Sequence, residues 1–301
     1  MRQKFILRGR PAAKNGQTRR QFLATAGTLL CVTAQGRAGT GVLGQLSRDG
    51  GSEAYPPEVQ RVKLGLASYT FRKFKLEQVL SMAQRVGLKY ICLKSNHLPL
   101  ESTPEQITTA VAKVKQAGLE LYGGGVIYTK TKAEVEQAFE YARAAGMKVI
   151  VGAPGPELLE LVETKVKQYD IKVAIHNHGP EDKIYPTPAS AYEKIKNLDS
   201  RIGLCIDIAH TQRCGIDPAQ AAEMFADRLL DVHLNDVSAP VKDAKYLELG
   251  RGIIDVPKLF RTLLKIKFTG VAAFEYVKDA DDPLPGLAES VGFARGVLAA
   301  I

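Results

Sequence analysis

A single (β/α)8 barrel, an α/β TIM barrel, is the fold class this sequence predicts, and three observations predict it. Beyond position 61, short apolar and β-branched runs alternate with helical patterns at a period of about 28 residues. Eight such units fill about 240 residues, the size of a closed barrel rather than of an open doubly wound sheet. All five histidines fall at or just past the C-terminal end of a predicted strand, and that rim is where barrels gather functional groups.

The chain opens with a different kind of segment. Residues 1–37 carry eight Lys or Arg (Arg2, Lys4, Arg8, Arg10, Lys14, Arg19, Arg20 and Arg37) and no acid, so eight of the nine net positive charges lie there and the remainder carries +1. The folded part therefore offers no electrostatic case for a nucleic-acid partner. Thr18-Arg19-Arg20-Gln21-Phe22-Leu23 precedes an apolar run from Ala24 to Ala34, which resembles a twin-arginine export signal. That run is too short to span a bilayer, so a stable membrane anchor is not expected. The expected organisation is a signal peptide over 1–34 with cleavage near Val32-Thr33-Ala34, a flexible Gly/Ser/Arg/Pro tether over 35–60, and a single barrel domain over 61–301, placing the protein in the periplasm or outside the cell.

The eight strands are read at 62–68, 88–94, 119–126, 147–152, 171–177, 202–207, 229–235 and 270–276. Three of the intervening helices end in the same stop signal, Val86-Gly87-Leu88, Ala117-Gly118-Leu119 and Ala145-Gly146-Met147, in which a left-handed glycine turns the chain back into the sheet. Thr103-Pro104 and Asp217-Pro218 mark helix starts, where proline forfeits no needed donor. A dinucleotide-binding reading fails because no Gly-x-Gly-x-x-Gly follows a strand, and Gly123-Gly124-Gly125 lies inside one. The four cysteines are too few and too irregular for a disulfide framework; Cys92 and Cys205 read as small strand hydrophobes, and Cys214 falls in a loop near the motifs below.

Four polar residues recur at the ends of the last four strands: His176, Asp207, His233 and Glu275. Side chains alternate along a strand, so if Ile175, Ile206, Val232, Leu234 and Phe274 face the helices, these four face the barrel interior. An inward carboxylate is costly unless paired or metal-bound, and two imidazoles with two carboxylates suit one divalent cation. Mn²⁺ is the first choice, with Zn²⁺, Co²⁺, Fe²⁺ or Mg²⁺ as alternatives, and Ca²⁺ fits less well. His178 shares the inward face of the fifth strand with His176, so either of the two fits as the ligand.

The run Asp207-Ile208-Ala209-His210, then Val232-His233-Leu234-Asn235-Asp236, then Gly250-Arg251-Gly252-Ile253-Ile254-Asp255, and finally Phe268-Thr269-Gly270 leading to Glu275, resembles the xylose isomerase-like barrel family of sugar isomerases and epimerases. The resemblance covers 61–301 and implies metal ligation by Asp207, His233 and Glu275. It also implies a departure, because His176 stands where ketose epimerases carry a glutamate. Those enzymes use two opposed carboxylates, one to remove a proton and one to return it, so two-base epimerisation is in doubt while one-base proton transfer or β-elimination remains open.

The resemblance implies a small sugar or keto-sugar substrate, with proton abstraction next to a carbonyl through a metal-stabilised enediolate. Glu275 is the expected base, His210 a contact to a substrate hydroxyl, and Lys94 a proton donor. Tyr69, His97, His178 and Arg251 are the expected substrate contacts, Tyr69 and Phe71 being placed to stack on a ring. Three function classes follow: an isomerase or epimerase; a lyase or hydratase acting on oxidised sugars such as 3-keto-glycosides; and a non-catalytic carbohydrate-binding barrel, against which the retained ligand set speaks. A metal-dependent abasic-site nuclease would need more His and acidic ligands than this mouth offers. A homo-oligomer is left open.

Overall fold

The computed structural model describes residues 62–301; the expected leader and tether, 1–60, lie outside the described residues. Eight parallel strands close into a barrel: β1 (Lys63–Ala67), β2 (Tyr90–Leu93), β3 (Glu120–Thr129), β4 (Val149–Pro154), β5 (Lys172–His176), β6 (Ile202–Asp207), β7 (Leu229–Leu234) and β8 (Val271–Phe274). Each strand pairs with its neighbour in sequence, and β1 closes the ring on β8 with Leu66 opposite Phe274.

Helices follow the strands: α1 (Leu76–Arg85), α2 (Pro104–Gln116), α3 (Lys132–Ala144), α4 (Leu159–Tyr169), α5 (Pro188–Ile195), α6 (Ile208–Arg213), α7 (Pro218–Met224), α8 (Val256–Lys265) and, after the last strand, α9 (Leu284–Ala300). Their buried positions recur at helical spacing, as with Ile107, Ala110 and Val114 on α2, which presses one apolar stripe on the outside of the barrel. None of the described helices is long and apolar enough to cross a membrane.

The stop signals work as expected. Gly87, Gly118 and Gly146 sit at φ of 70°, 67° and 67°, and at each the next residue bonds back into the helix, for example Leu88 N–H to Ala83 O at 3.1 Å. Thr103 caps α2 through a reciprocal pair with Gln106, and Asp217 caps α7 by accepting from the amides of Ala219 and Gln220.

Two cores result from strand alternation. One, rich in Leu, Ile, Val and Phe, fills the space between barrel and helices. The other lies inside the barrel and, apart from Tyr122, is built of smaller side chains, including Ala67, Cys92, Val151, Ala174, Cys205 and Ala273. Small residues at mid-barrel leave depth at the C-terminal mouth for the larger polar groups above them. The third strand runs three residues beyond its predicted end because its register with β4 shifts between Gly124 and Ile127. Gly125, at φ +149°, passes so close to β4 that a Cβ would lie 2.1 Å from Val151 O.

Between β7 and α8 a short antiparallel pair, Asp236–Val237 with Tyr246–Leu247, leads into the Gly250-Arg251-Gly252 loop. Asp236 is fully buried and accepts the amides of Val237, Gly250, Gly252 and Ile254 at 2.8 to 3.2 Å, so this carboxylate shapes the loop from within.

Candidate metal centre

The ends of β5, β6, β7 and β8 bring His176, Asp207, His233 and Glu275 together, with one ligand atom from each lying within 4.8 Å of all the others. His176 Nε2 is 3.0 Å from His233 Nδ1, and that atom is 3.1 Å from Glu275 Oε2. His176 Nε2 lies 3.7 Å from both Asp207 Oδ2 and Glu275 Oε2. All four are buried, Asp207 completely.

Asp207 is held firmly. Its Oδ1 accepts the His210 amide at 2.7 Å, which caps α6, and its Oδ2 accepts from Asn235 Nδ2 at 3.1 Å. Its own amide donates to Asn177 Oδ1 at 3.1 Å. Asn235 Oδ1 in turn accepts from the Ala209 amide at 3.1 Å, so the two asparagines beside the expected ligands lock the β6–α6 turn.

The donor set fits a small divalent cation. Donors about 2.1 Å from one centre stand about 3.0–3.4 Å apart in octahedral or tetrahedral arrangements, and the closer contacts here fall in that range. Mixed imidazole and carboxylate ligation suits Zn²⁺, Mn²⁺, Co²⁺ or Fe²⁺. In the protein alone a proton substitutes for part of that charge. Burial opposes the His233 imidazolium, but the carboxylates of Glu275, Asp231 and Asp207 outweigh burial and push its pKa up to about 9. Burial would raise Glu275, yet His233 and His176 hold its carboxyl well below the usual range. His176 is pushed down by burial.

Around this quartet the mouth carries Tyr69, Lys94, Tyr128, His178, His210 and Tyr246. Lys94 Nζ donates to Val126 O at 3.1 Å and lies 5.3 Å and 5.7 Å from the centroids of the Tyr69 and Tyr128 rings. Burial lowers its pKa, against the opposing pull of Glu275. His178 Nε2 is bonded to Tyr128 Oη at 2.7 Å. Its ring centre lies 4.4 Å from that of His176, and burial together with His176 and His210 lowers its pKa to about 3. Of the two histidines at the end of the fifth strand, His176 is the one whose ring nitrogen lies within the quartet. His210 Nδ1 lies 3.1 Å from Arg213 Nη1 and 3.5 Å from Tyr246 Oη.

Two expected substrate contacts are placed elsewhere. His97 is buried with both ring nitrogens engaged, Nδ1 with Ser68 Oγ at 2.8 Å and Nε2 with Phe71 O at 3.1 Å. Because Ser68 Oγ also accepts the Lys94 amide at 2.8 Å, His97 ties the loops after β1 and β2 together rather than facing a ligand. Arg251 sits between two glycines whose amides turn inward to Asp236, which throws its side chain outward into an ion pair with Glu289 on α9. Phe71 is fully buried and packs edge-on against Phe74, so it is a core residue and not a stacking surface.

Tyr128, Tyr246, Asn177, Asn235 and Arg213 were not singled out by the sequence pattern. The β-forming run Val126-Ile127-Tyr128-Thr129 was the available signal for Tyr128; Tyr246 lies in a segment without periodicity.

The sequence matches the xylose isomerase-like TIM barrel family over residues 68–297. The chain belongs to that family. No curated protein matches this xylose isomerase-like barrel by sequence. Among solved structures it is similar to an uncharacterized protein from Parabacteroides distasonis, at 25% identity and a TM-score of 0.62 over 78% of this chain and 98% of the other. It is similar in fold to the 3-keto-D-glucoside 4-epimerase YcjR from E. coli (18%, TM-score 0.64, 78% and 100% covered). It also resembles the IOLI protein with a bound zinc atom (16%, TM-score 0.67, 79% and 98% covered). Barrels of this fold include further epimerase-type proteins and one assigned as a 3-DHS dehydratase.

Proposed function

We propose that this xylose isomerase-like barrel is a metal-dependent enzyme that moves a proton on the carbon beside a carbonyl of a sugar or keto-sugar, as an isomerase or epimerase. The observation that carries the reading is the quartet His176, Asp207, His233 and Glu275 at the floor of a mouth ringed by Lys94, Tyr69, His178 and His210. A divalent cation held there would polarise the carbonyl and make the neighbouring C–H more acidic.

The chain's own groups supply the rest. Glu275 is the carboxylate assigned to take the proton; its histidine neighbours keep it ionised and so available, although the same lowering weakens it as a base. Lys94 is opposite in charge and its ammonium is weakened by burial, so it is suited to give a proton to a developing alkoxide. His210 has Nδ1 turned to Arg213, which donates only, so its N–H is on Nε2 and serves as a hydrogen-bond donor to a substrate hydroxyl. Tyr69, already beneath the Lys94 ammonium, offers a ring face to a sugar.

A lyase or hydratase acting on oxidised sugars is the second reading. It is favoured by the fifth strand, which contributes His176 in place of a second opposed carboxylate, so that one base and a separate acid suffice. The 3-keto-D-glucoside named for a 4-epimerase of similar fold is a substrate class on which both readings can be tried. We further propose that the twin-arginine-like leader exports the protein, which fractionation of cells producing the full chain would check.

The test is incubation with a panel of keto-sugars and 3-keto-glucosides in heavy water with added Mn²⁺ or Zn²⁺. Deuterium at the carbon beside the carbonyl, absent with Glu275→Gln, is expected from an isomerase or epimerase; aglycone release or dehydration is expected from a lyase. No exchange and no conversion across the panel would sink the enzymatic reading.

A further inference from the structure

Two residues before each quartet member, the same strand points another side chain into the barrel one layer deeper: Ala174 below His176, Cys205 below Asp207, Asp231 below His233 and Ala273 below Glu275. Ala174, Cys205 and Ala273 are small members of the interior core. The fourth is a fully buried carboxylate where packing asks for nothing charged. Its Oδ1 has only the weak thiol donor of Cys205 at 3.6 Å, and its Oδ2 has no partner at all. A buried carboxylate in that condition is expensive.

Two other buried polar atoms beside it also lack partners. The Tyr122 hydroxyl, from β3, faces Asp231 across the interior. His233 Nε2 stands 3.8 Å from Asp231 Oδ1. Two unused donors and an unused acceptor thus lie together directly under the quartet.

His233 presents Nδ1 to the quartet. An imidazole that gives the Nδ1 lone pair to a cation carries its hydrogen on Nε2, and that hydrogen points at Asp231. We infer that Asp231 is a positioning residue for His233: its carboxylate takes the Nε2–H, selects the tautomer that leaves Nδ1 free for the metal, and is itself held from below by the Tyr122 hydroxyl. A movement of about 1 Å closes the gap to hydrogen-bond distance. Asp231 touches no substrate and acts only through the ring. The inference rests on the metal-centre reading and extends it to the interior of the barrel.

The experiment is Zn²⁺ affinity of the purified, metal-stripped full chain by competition with a chromophoric chelator, together with the visible spectrum of the Co²⁺ form. Variants are Asp231→Asn, which keeps an acceptor without the charge, Asp231→Ala and Tyr122→Phe, with folding followed by circular dichroism. Supporting outcomes of the substitutions are a ten- to hundredfold weaker Zn²⁺ affinity and an altered Co²⁺ spectrum in Asp231→Ala, a smaller loss in Asp231→Asn, and a few-fold loss in Tyr122→Phe, which retains the ring and the fold. Folded Asp231 variants that bind Zn²⁺ as wild type does, with the wild-type Co²⁺ spectrum, overturn the inference while leaving the metal centre standing. A wild type that binds neither metal overturns the metal centre and this inference with it.

Discussion

His176 Nε2 stands 3.0 Å from His233 Nδ1, with carboxylate oxygens of Asp207 and Glu275 on the flanks. A single proton on His233 Nδ1 satisfies His176 and Glu275 from one position, whereas a divalent cation satisfies all four groups at once. A cation that binds only the folded barrel stabilises it by about 2.7 kcal/mol at a free concentration one hundred times its Kd. For a domain of this size that is a shift of about 5–10 °C in Tm. Removing metal with a chelator should lower the wild-type Tm by that amount and leave Asp207→Ala unmoved. Differential scanning calorimetry with and without chelator checks it, and equal responses in the two proteins would contradict it.

Arg213 is nearly buried at the end of α6 and donates to Lys242 O, to Glu181, to Tyr246 Oη and to His210 Nδ1. Its planar fork meets all of these from one side chain, which a lysine cannot reproduce. Arg213→Lys should leave the His210 ring free to turn and lower kcat/KM by about tenfold, and Arg213→Ala should in addition cost about 1–3 kcal/mol of stability. The check is urea unfolding beside steady-state rates on whichever keto-sugar shows exchange.

The α8 stop repeats the pattern of Gly87, Gly118 and Gly146 with a lysine in place of the glycine. Lys267 sits at φ +54°, and Phe268 N–H bonds to Leu263 O at 2.9 Å. A non-glycine residue there carries the steric cost of the left-handed region. Lys267→Gly should therefore stabilise the fold by about 0.5–1 kcal/mol, read as a higher urea midpoint with unchanged slope.

Glu248 is nearly buried beneath Lys278, which bonds to it at 2.7 Å, and it also accepts from Tyr276 Oη at 2.9 Å. The Lys278 hydrogen bond outweighs burial and lowers its pKa to about 2. A carboxyl depressed in the folded state adds stability above its unfolded pKa near 4.5 that disappears as pH falls toward 2. Allowing for the solvent around Lys278, about 1–2 kcal/mol should be lost over that window, and Glu248→Gln should flatten this part of the pH profile of urea unfolding. A variant with the wild-type profile would contradict the assignment.

The barrel was legible because strand and helix patterning is repeated eight times and because Gly87, Gly118 and Gly146 mark the returns into the sheet. The quartet was legible through alternation: polar residues flanked by Ile175, Ile206, Val232 and Phe274 had to face inward. The same alternation carried two residues further back would have exposed Asp231 as the one charged member of the layer below. His97 misled because position at the mouth was read as direction, while its ring turns back to Ser68 and Phe71. Arg251 is expected at the substrate from the family resemblance alone, whereas the buried Asp236 turns the flanking glycine amides inward and leaves the arginine paired with Glu289. Tyr128 was hidden by the register shift in β3, and Tyr246 and Arg213 come together only through loops whose paths no periodicity encodes.

If His176, Asp207, His233 and Glu275 hold one divalent cation, elemental analysis of the purified full chain should find about one equivalent of a transition metal in the wild type and none in folded Asp207→Ala and His233→Ala. A wild type that neither retains nor takes up metal, or variants that bind it as well as the wild type, would mean that these four residues do not form a metal site.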